Sequence, residues 1–475
     1  MEISFENLGF IKKGKVKTND ITIIFGPNNV GKTYLSYSIF SVLSQYRRHY
    51  PFVSNITQKM ASEVYANKSY SADYSSLMKV ENQKNICEGI STELSKFFKD
   101  TSGVLRNVKI SASDIDEYKH LKLVSFRVRI PLSETSNLFI EKKKNSKIVN
   151  FIVSSLEIDD ESDGGKQKVT LKLIHSRMKA LMDYVLKTRF FDFIGHEPFI
   201  ITSERTGISI FLKEIDSNRN DIVNKIAMES VSKGFDDDDD FIKKIMTNRV
   251  SNFAEPINHN INAVRGSLDG KPSSQIDYSD ENFIEIERCF NDLVCGGYKI
   301  VSDDIYFSSK IENGDDLDIP ISMASGAGKS LYLMNVFIRK YISKNSYLII
   351  DEPELNLHPA NQIKMASLIV LLANYGVKVI ITTHSDYLVK EINNRIMAYK
   401  LKEKPKVLEE VGYTSQHDVI SHERVSAFTI THQGNIEEIE SNAYGVSSSL
   451  FDAVIVDVDD RADKLISEML DYEHD

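Results

Sequence analysis

The sequence predicts an α/β fold whose central parallel sheet is assembled from both ends of a 475-residue chain. One observation is a buried apolar strand, Ile21 to Ile24, that runs into a glycine-rich turn and then a helical pattern. The other is a pair of apolar runs, 346–350 and 376–383, that each end in polar residues, as strands do at the ligand edge of such sheets. Because Lys32 and Asp351 lie 319 positions apart, we expect a large mixed α+β insertion between the two halves of the core.

The composition is that of a soluble globular protein, with 41% hydrophobic and 27% charged residues. The length predicts two or three structural units. A net charge of −10 argues against a surface covered by nucleic acid but permits a local basic groove. Three cysteines, Cys87, Cys289 and Cys295, fit no metal-binding spacing and no disulfide framework, which indicates a reducing, cytoplasmic setting.

Neither a signal peptide nor a membrane span is expected. The N-terminal residues carry no basic segment followed by an apolar one. The longest apolar stretch, around Met365 to Ala373, has about half the length that a bilayer requires.

The glycine-rich turn is a phosphate-binding loop (P-loop), and its residues are Gly26, Pro27, Asn28, Asn29, Val30, Gly31, Lys32 and Thr33. The two glycines allow the backbone N–H groups to approach an anion, which the positive end of the following helix also attracts. Lys32 is expected to reach the β- and γ-phosphates of ATP, and the Thr33 hydroxyl is a hard ligand suited to Mg2+. The alternative is a strand-turn-helix junction that binds nothing.

Two later strands end in residues suited to hydrolysis. Asp351 is expected to hold hydrated Mg2+, and Glu352 is placed to polarise the attacking water. His384, after the strand 376–383, can reach the γ-phosphate and the same water. The alternatives are a solvated strand end for the carboxylates and a satisfied core position for the histidine.

A second small-residue turn occupies 321–330 but is not a second P-loop, because Met323 stands where the first glycine would be required. Ser325 and Gly326 instead enter a helix that is predicted to run on from Leu331. Exposed N–H groups and a serine hydroxyl at a helix N-terminus suit an anion. This turn could cover the γ-phosphate of a nucleotide held by a second copy of the protein.

The remaining segments carry weaker signals. Residues 1–25 are predicted to form two strands joined by a lysine-containing turn. The segments 55–100 and 215–300 are predicted to be mostly helical. The segment 141–147 is predicted to be a solvated hairpin turn, and the alternative is a contact with nucleic acid or a partner. Arg205 is either a phosphate or subunit contact or a surface ion-pair former. The acidic run 236–240 is expected to be a solvated loop.

The predicted divisions are 1–51 (first part of the core), 52–195 (insertion), 196–215 (return to the core), 216–319 (helical lid), 320–400 (second part of the core) and 401–475 (docking tail).

The P-loop is followed along the chain by the Ser325-Gly326 turn, the Asp351-Glu352 pair and His384. This order of motifs resembles that of the RecF and SMC branch of ABC-type ATPases. More narrowly, 351–359 and 382–388 look like the overcoming-lysogenization-defect (OLD) ATPases, a group that includes subunits of the anti-phage systems Septu, Gabija and PARIS. The resemblance implies Lys32 and Thr33 on phosphates and Mg2+, Asp351 on Mg2+, Glu352 as catalytic base, Ser325 on the γ-phosphate in trans and His384 as the switch histidine.

The sequence departs from this family pattern in two places. The signature reads Met-Ala-Ser-Gly-Ala instead of Leu-Ser-Gly-Gly-Gln, and no Q-loop glutamine is identified. Gln45 is too near the P-loop, whereas Gln58, Gln83 and Gln167 lie in the insertion. The tail pair Asp457 and Asp459 is of a kind that a Toprim nuclease uses, but no suitable upstream glutamate strand precedes it. A structural or docking tail is therefore expected.

The function predicted from these observations is an ATPase that dimerises around ATP and controls a separate effector, a nuclease or toxin, in bacterial phage defence, with a phage protein as a possible trigger. The alternative is a repair or chromosome-maintenance ATPase that binds DNA itself. A transporter ATPase is disfavoured, because the insertion is long and no membrane-partner motif is visible.

Overall fold

The structure is a computed structural model that describes residues 1–45, 63, 67–73, 80–113, 125–131, 137–153, 198–212, 214–215, 253–273, 276–310, 316–413, 416–447, 460–461 and 463–465. The chain divides into two units. The insertion unit comprises Met1–Leu8, Ser38–Lys96 and Asp100–Pro198. The sheet unit comprises Gly9–Tyr37, Phe97–Lys99 and Phe199–Asp475.

The strands are β1 (Glu2–Leu8), β2 (Ile11–Lys17), β3 (Ile21–Phe25), β4 (Ser69–Asp73), β5 (Lys109–Ser113), β6 (Phe126–Pro131), β7 (Asn137–Lys142), β8 (Ile148–Val153), β9 (Phe199–Ile201), β10 (Gly297–Val301), β11 (Asp304–Lys310), β12 (Asp316–Pro320), β13 (Tyr347–Asp351), β14 (Lys378–Thr383), β15 (Val425–Ile430), β16 (Ile436–Ile439), β17 (Ser441–Asn442) and β18 (Gly445–Val446). The α-helices are α1 (Lys32–Gln45), α2 (Val80–Phe97), α3 (Glu255–Ser267), α4 (Glu281–Val294), α5 (Gly326–Ser330), α6 (Tyr332–Val336), α7 (Pro359–Tyr375), α8 (Asp386–Tyr399) and α9 (Pro405–Glu410).

The insertion unit contains an antiparallel sheet with the strand order β4-β8-β7-β6, and β1 pairs antiparallel with β5. Along β7, the side chains of Leu138 and Ile140 are buried while their neighbours are not, which is the period-two pattern of a sheet with one covered face. The basic stretch 143–147 is an exposed hairpin turn between β7 and β8, as predicted. The prediction of helix throughout 55–100 is wrong at 69–73, because β4 pairs with β8.

The sheet unit is built on a six-stranded sheet with the order β16-β15-β3-β14-β13-β9. All neighbouring strands are parallel except β16, which pairs antiparallel with β15 at the edge. Every residue of β3 and β13 is buried. Such continuous apolar strands are typical of a parallel sheet covered on both faces. The predicted parallel sheet drawn from both ends of the chain is confirmed.

Helix α7 supplies much of the core that covers this sheet, including Leu368, Ile369 and Leu372, each with no exposed side-chain surface. It begins where the His358 side chain accepts the Ala360 N–H, and it ends at Gly376, whose φ of 109° favours glycine. The predicted helix 360–374 is therefore confirmed. No helix in the described part of the chain is long and apolar enough to span a membrane.

A second antiparallel sheet, with the order β10-β11-β12, leads into the small-residue turn. After β12 come a 3-10 turn (Ile321–Met323), α5 and α6. The predicted continuous helix from Leu331 instead ends as a π-helical turn, Phe337–Tyr341, in which the Ile342 N–H bonds the Phe337 carbonyl at 2.8 Å.

The lysine-containing segment before β3 is a strand, β2, where the sequence predicted a turn. Ile11 and Val16 are buried whereas Lys12, Lys13 and Lys17 are exposed. The Lys12 N–H donates to the Gly434 carbonyl at 2.7 Å. Two other predictions, for the acidic run 236–240 and the pair at 457 and 459, lie outside the described residues.

Candidate functional site

The candidate site lies at the carboxyl edge of the six-stranded sheet. Phe25 at the end of β3 is in register with Thr383 of β14, and Thr382 of β14 is in register with Asp351 of β13. Because these three strands are parallel neighbours, the residues that follow them meet at one edge. The topology therefore brings the P-loop, the two carboxylates and His384 together, as the sequence predicted.

The P-loop has the backbone conformation that its glycines imply. The φ angles are 150° at Gly26, 62° at Asn29 and 103° at Gly31, and a β-carbon at Gly26 would lie 2.9 Å from the Ile430 carbonyl oxygen. Asn28 and Asn29 are exposed, while Val30 is buried beneath the loop. The loop thus presents backbone to solvent and anchors itself through one apolar side chain.

Lys32 is the buried cation of the loop. Its Nζ donates to the carbonyl oxygens of Gly26 at 3.0 Å and Pro27 at 2.6 Å. Burial lowers the pKa of Lys32, and the nearby carboxylates of Glu352 and Asp351 act in the opposite direction. The ammonium is therefore held among acceptors at the point where the loop would meet an anion.

Asp351 and Thr33 place two hard oxygens side by side. The Thr33 hydroxyl donates to the Asp351 carboxylate at 3.0 Å, and the Thr382 hydroxyl donates to its other oxygen. Asp351 is 1% exposed, and burial raises the pKa of its carboxyl above the ordinary value. One carboxylate, one hydroxyl and substrate phosphates form a ligand set that Mg2+ takes readily. The residues present therefore fit that ion.

Glu352 has an unusual backbone conformation, with a φ of 52°. Its N–H donates to the Thr382 carbonyl oxygen at 3.0 Å and lies 3.2 Å from the Thr382 hydroxyl. Left-handed backbone at a residue other than glycine persists where surrounding contacts enforce it, and it is concentrated at functional sites. These bonds fix the Glu352 backbone beside the end of β14.

Arg205 also restrains this backbone, and the interpretation of it as a surface ion-pair former is wrong. It is 3% exposed, and its guanidinium donates to the backbone carbonyls of Asp351 at 2.8 Å, Glu352 at 2.6 Å and Thr202 at 3.1 Å. Burial lowers the pKa of Arg205 to about 10, so the group stays charged at neutral pH. Arg205 therefore positions the backbone that carries both acidic residues.

Glu354 is a site residue that the sequence reasoning missed. Its carboxylate accepts the His384 N–H at 2.6 Å and the Thr383 hydroxyl at 2.9 Å. Burial raises the pKa of this carboxyl. Glu354 thereby joins the turn after β13 to the end of β14. Its position two residues after Glu352, across a proline, was the available signal.

The His384 ring lies beside the Glu352 carboxylate, with 3.8 Å between Nε2 and Oε1. Both side chains are about one-third exposed. Burial lowers the pKa of His384, and Lys32 lowers it further, so the imidazole is neutral at pH 7. A distance of 3.8 Å is too long for a direct hydrogen bond. The two polar groups therefore flank a shared space instead of neutralising each other.

The Ser325-Gly326 turn is exposed, and the Ser325 hydroxyl accepts the Gly328 N–H at 3.1 Å. Gly326 packs near Asn356, whose side-chain amide donates to the Thr206 hydroxyl at 3.3 Å. Among the described residues, no hydrogen bond joins Ser325 to the P-loop cluster. The structure thus brings together every other predicted site residue and leaves this turn facing solvent.

Glu204, which follows β9, is another site residue that the sequence reasoning missed. Its carboxylate accepts the Tyr37 hydroxyl at 2.9 Å, and its charge contributes to raising the pKa of Asp351. Gln45 instead donates to Ser41 within α1 at 2.8 Å. Glu204 could not be found from sequence, because β9 and β13 are adjacent only in the folded sheet.

Residues 1–389 match the family described as AAA ATPase domain. Three SMC head structures are similar at 11% identity. The Pyrococcus furiosus Smc head domain bound to the C-terminal domain of ScpA aligns over 97% of this chain and 98% of that chain, with a TM-score of 0.30. The Thermotoga maritima SMC head domain aligns over 92% of this chain and 98% of that chain, with a TM-score of 0.28. An SmcHead bound to the C-winged helix domain of ScpA aligns over 92% of this chain and 97% of that chain, with a TM-score of 0.32. No curated protein matches the chain.

Proposed function

Since the chain belongs to the AAA ATPase domain family and is an ATPase, we propose that it is of the ABC type, dimerises around ATP and uses the resulting switch to control a separate effector. The observation that carries this proposal is the meeting of Lys32, Asp351, Glu352 and His384 at one sheet edge.

The P-loop residues Gly26 to Thr33 bind the β- and γ-phosphates through backbone N–H groups and the Lys32 ammonium. Thr33 and Asp351 would hold Mg2+, and the ion would supply positive charge against the negative charge that develops on the phosphate oxygens. Displacement of Lys32 from the Gly26 and Pro27 carbonyls towards the phosphates requires only side-chain rotation.

Glu352 accepts a proton from water as the water oxygen attacks the γ-phosphorus, and the bond to the bridging oxygen breaks to release ADP. Neutral His384 orients that water or the γ-phosphate from the opposite side of the shared space. Arg205 and Thr382 keep the Glu352 backbone in position while Glu354 does the same for His384. The reacting side chains are thus pre-oriented by buried groups.

Ser325 and Gly326 complete the site of a second copy. The turn is exposed and presents the N-terminus of α5, and Met323 beside it is 72% exposed. These features support a role in which the turn covers the γ-phosphate across a dimer. The Met-Ala-Ser-Gly-Ala sequence differs from the family signature, so this assignment depends on position and exposure.

ATP turnover by purified protein tests the mechanism. Lys32→Ala and Glu352→Gln are each expected to reduce the turnover rate by at least 100-fold, because they remove a phosphate ligand and the proton acceptor. Glu352→Gln should still bind ATP, whereas Lys32→Ala should bind it weakly. Steady ATP turnover by the Glu352→Gln protein would disprove the proposed mechanism.

The finer proposal is that the effector is a nuclease or toxin of a bacterial anti-phage system. It is supported by the similarity of 351–359 and 382–388 to OLD-type ATPases. The experiment is to express the chain together with the product of the neighbouring gene and challenge the cells with phage. Protection that requires both genes, and is lost with Lys32→Ala, is the expected result. Protection that is unaffected by Lys32→Ala would contradict it.

A DNA-binding maintenance ATPase is the second candidate. The exposed Lys12, Lys13 and Lys17 of β2 favour it, because a row of lysines can contact phosphates of a nucleic-acid backbone. Tight DNA binding by the isolated protein, falling steeply with salt, would support this candidate over the defence role.

A further inference from the structure

We propose that the segment 462–470 folds back as an amphipathic helix and covers an apolar groove between α7, α8 and α9 of the same chain. The inference does not depend on the proposed function, because neither the groove nor the segment takes part in binding or hydrolysing ATP.

The groove has a volume of about 640 Å³ and is lined by the three helices and by the residues that follow α8 and α9. Its buried base includes Ala398 and Leu408. Five apolar side chains at its rim are between 37% and 60% exposed, and these are Ile363, Met397, Leu401, Val407 and Val411. A contiguous exposed apolar surface of this kind marks a place where another segment or molecule binds.

The polar groups in the groove bond to one another. The Arg395 guanidinium donates to the Glu391 carboxylate at 2.9 Å, to the Asp418 carbonyl oxygen at 2.8 Å and to the Ser367 hydroxyl. The same carboxylate accepts the Tyr413 hydroxyl at 3.2 Å. Because these groups already have partners, the groove offers its occupant apolar contacts and asks for no hydrogen bonds.

The segment 462–470 has its apolar residues at the spacing of one helix face. These residues are Ala462, Leu465, Ile466, Met469 and Leu470, and the positions between them, 463, 464, 467 and 468, are polar. The structure describes 463–465 of this segment, which are helical and exposed, with Leu465 66% exposed. A helix with anchors at such intervals is a common occupant of an apolar groove.

The charges of the segment and of the groove edge are opposite. Between the end of α8 and the start of α9, the residues 400–406 contain one glutamate and four exposed lysines, which are Lys400, Lys402, Lys404 and Lys406. The stretch 457–471 contains six acidic residues and two basic ones. Complementary charge therefore favours this segment as the occupant.

The chain also passes beside the groove before it reaches the segment. The backbone N–H and carbonyl of Val446 both bond the Asn393 side chain at 2.8 Å, and the next two residues of α8, Asn394 and Arg395, line the groove. The 15 residues from Ser447 to Ala462 can span at most roughly 50 Å. Since α8 is about 20 Å long, this connection permits docking within one chain.

The test uses the full chain without nucleotide and exploits the absence of tryptophan from the sequence. Val411→Trp places a single fluorophore in the groove, and Leu465→Trp places one on the segment. Both are expected to be shielded from quenching by acrylamide. Val301→Trp is the unshielded reference, because Val301 is 54% exposed on β10.

Release of the segment is tested by matched charge substitutions. In the Val411→Trp protein, Ile466→Asp should raise the quenching constant by about twofold or more, because it places a charge on the apolar face of the helix. Ser467→Asp adds the same charge on the polar face and should leave the constant unchanged. In the Leu465→Trp protein, Val411→Asp should expose the fluorophore, whereas Val301→Asp should not.

Docking within one chain should give the same quenching from about 0.1 to 10 µM protein, since a tethered segment has an effective concentration of order millimolar. The inference is overturned if Val411→Trp is quenched as freely as Val301→Trp, or if Ile466→Asp and Ser467→Asp have equal effects. Shielding that appears only as the protein concentration rises would also overturn it, because the occupant would then come from a second copy. These measurements involve no ATP, so their failure leaves the proposed function intact.

Discussion

Asp351 occupies a position where charge opposes folding. Its carboxylate is almost completely buried among hydroxyl groups, and burial raises its pKa. A carboxyl whose folded-state pKa exceeds its unfolded value near 3.9 destabilises the fold when ionised. The proposed role of Asp351 as a metal ligand accounts for such a residue, since sites shaped for function often sacrifice stability.

Asp351→Asn is expected to abolish ATP hydrolysis while raising the free energy of unfolding at pH 7 by roughly 0.5–2 kcal/mol. The amide keeps one oxygen acceptor for the two hydroxyls of Thr33 and Thr382, offers its NH2 group to the oxygen of the other hydroxyl, and removes the buried charge. As pH falls through the raised folded-state pKa towards 3.9, the two proteins should become equally stable, because the wild-type carboxyl is then protonated in both states.

Urea denaturation without Mg2+ at pH 7 and at pH 5 measures this difference. The account would be contradicted by a variant that is less stable than the wild type at pH 7. It would also be contradicted if the difference in unfolding free energy between the two proteins were larger at pH 5 than at pH 7. Thr382→Val serves as the companion variant, because removing the hydroxyl donor should destabilise the ionised carboxylate.

At the scale of elements, Arg205 joins β9 to the end of β13. Two of the residues it bonds are 146 and 147 positions away in the chain, the third is Thr202, and all three contacts are with backbone carbonyls. A planar guanidinium can serve several acceptors at once, which an ammonium cannot do in the same geometry. The catalytic carboxylate therefore depends on a strand junction as well as on its own strand.

Arg205→Lys is expected to lower kcat for ATP at least tenfold with KM within threefold, since the shifted Glu352 affects the chemical step more than binding. The unfolding free energy should fall by about 1–3 kcal/mol, because buried carbonyls lose their donors. Steady-state kinetics and urea unfolding measure the two effects.

Arg424→Lys is the matched control. Arg424 also donates to a backbone carbonyl, that of Ala373 at 3.0 Å, but it lies beside Asp20 at the opposite edge of the sheet. This variant should lose stability without a tenfold fall in kcat. Equal kcat values for Arg205→Lys and the wild type would remove Arg205 from its positioning role.

At the scale of the whole molecule, the exposed Ser325 turn and the P-loop cluster are two parts of a site that we propose forms between copies. ATP should therefore convert monomer to dimer when hydrolysis is blocked. A bulky, positively charged side chain at the Ser325 turn would obstruct the proposed dimer interface without touching the P-loop of the same chain.

In Glu352→Gln protein with ATP and Mg2+, light scattering is expected to show a dimer. Adding Ser325→Arg should return it to monomer, with the Kd of the monomer for ATP changed less than threefold. Glu410→Arg, an exposed substitution in α9, should leave the dimer intact. A dimer that persists with Ser325→Arg would exclude this turn from the interface.

The sequence by itself determined the main elements of the site. An apolar run followed by polar residues is a local pattern, so the P-loop after β3, Asp351 and Glu352 after β13, and His384 after β14 could all be located from the sequence. Parallel pairing then places these strand ends at one edge, whatever the length of the chain between them.

Only the tertiary structure decided which groups hold those residues in place. Arg205, Glu354 and Thr382 act through backbone atoms of distant segments, and no local periodicity reports such contacts. Local sequence specifies the strands and their polar ends, whereas burial and long-range hydrogen bonding determine how rigidly the reacting side chains are held.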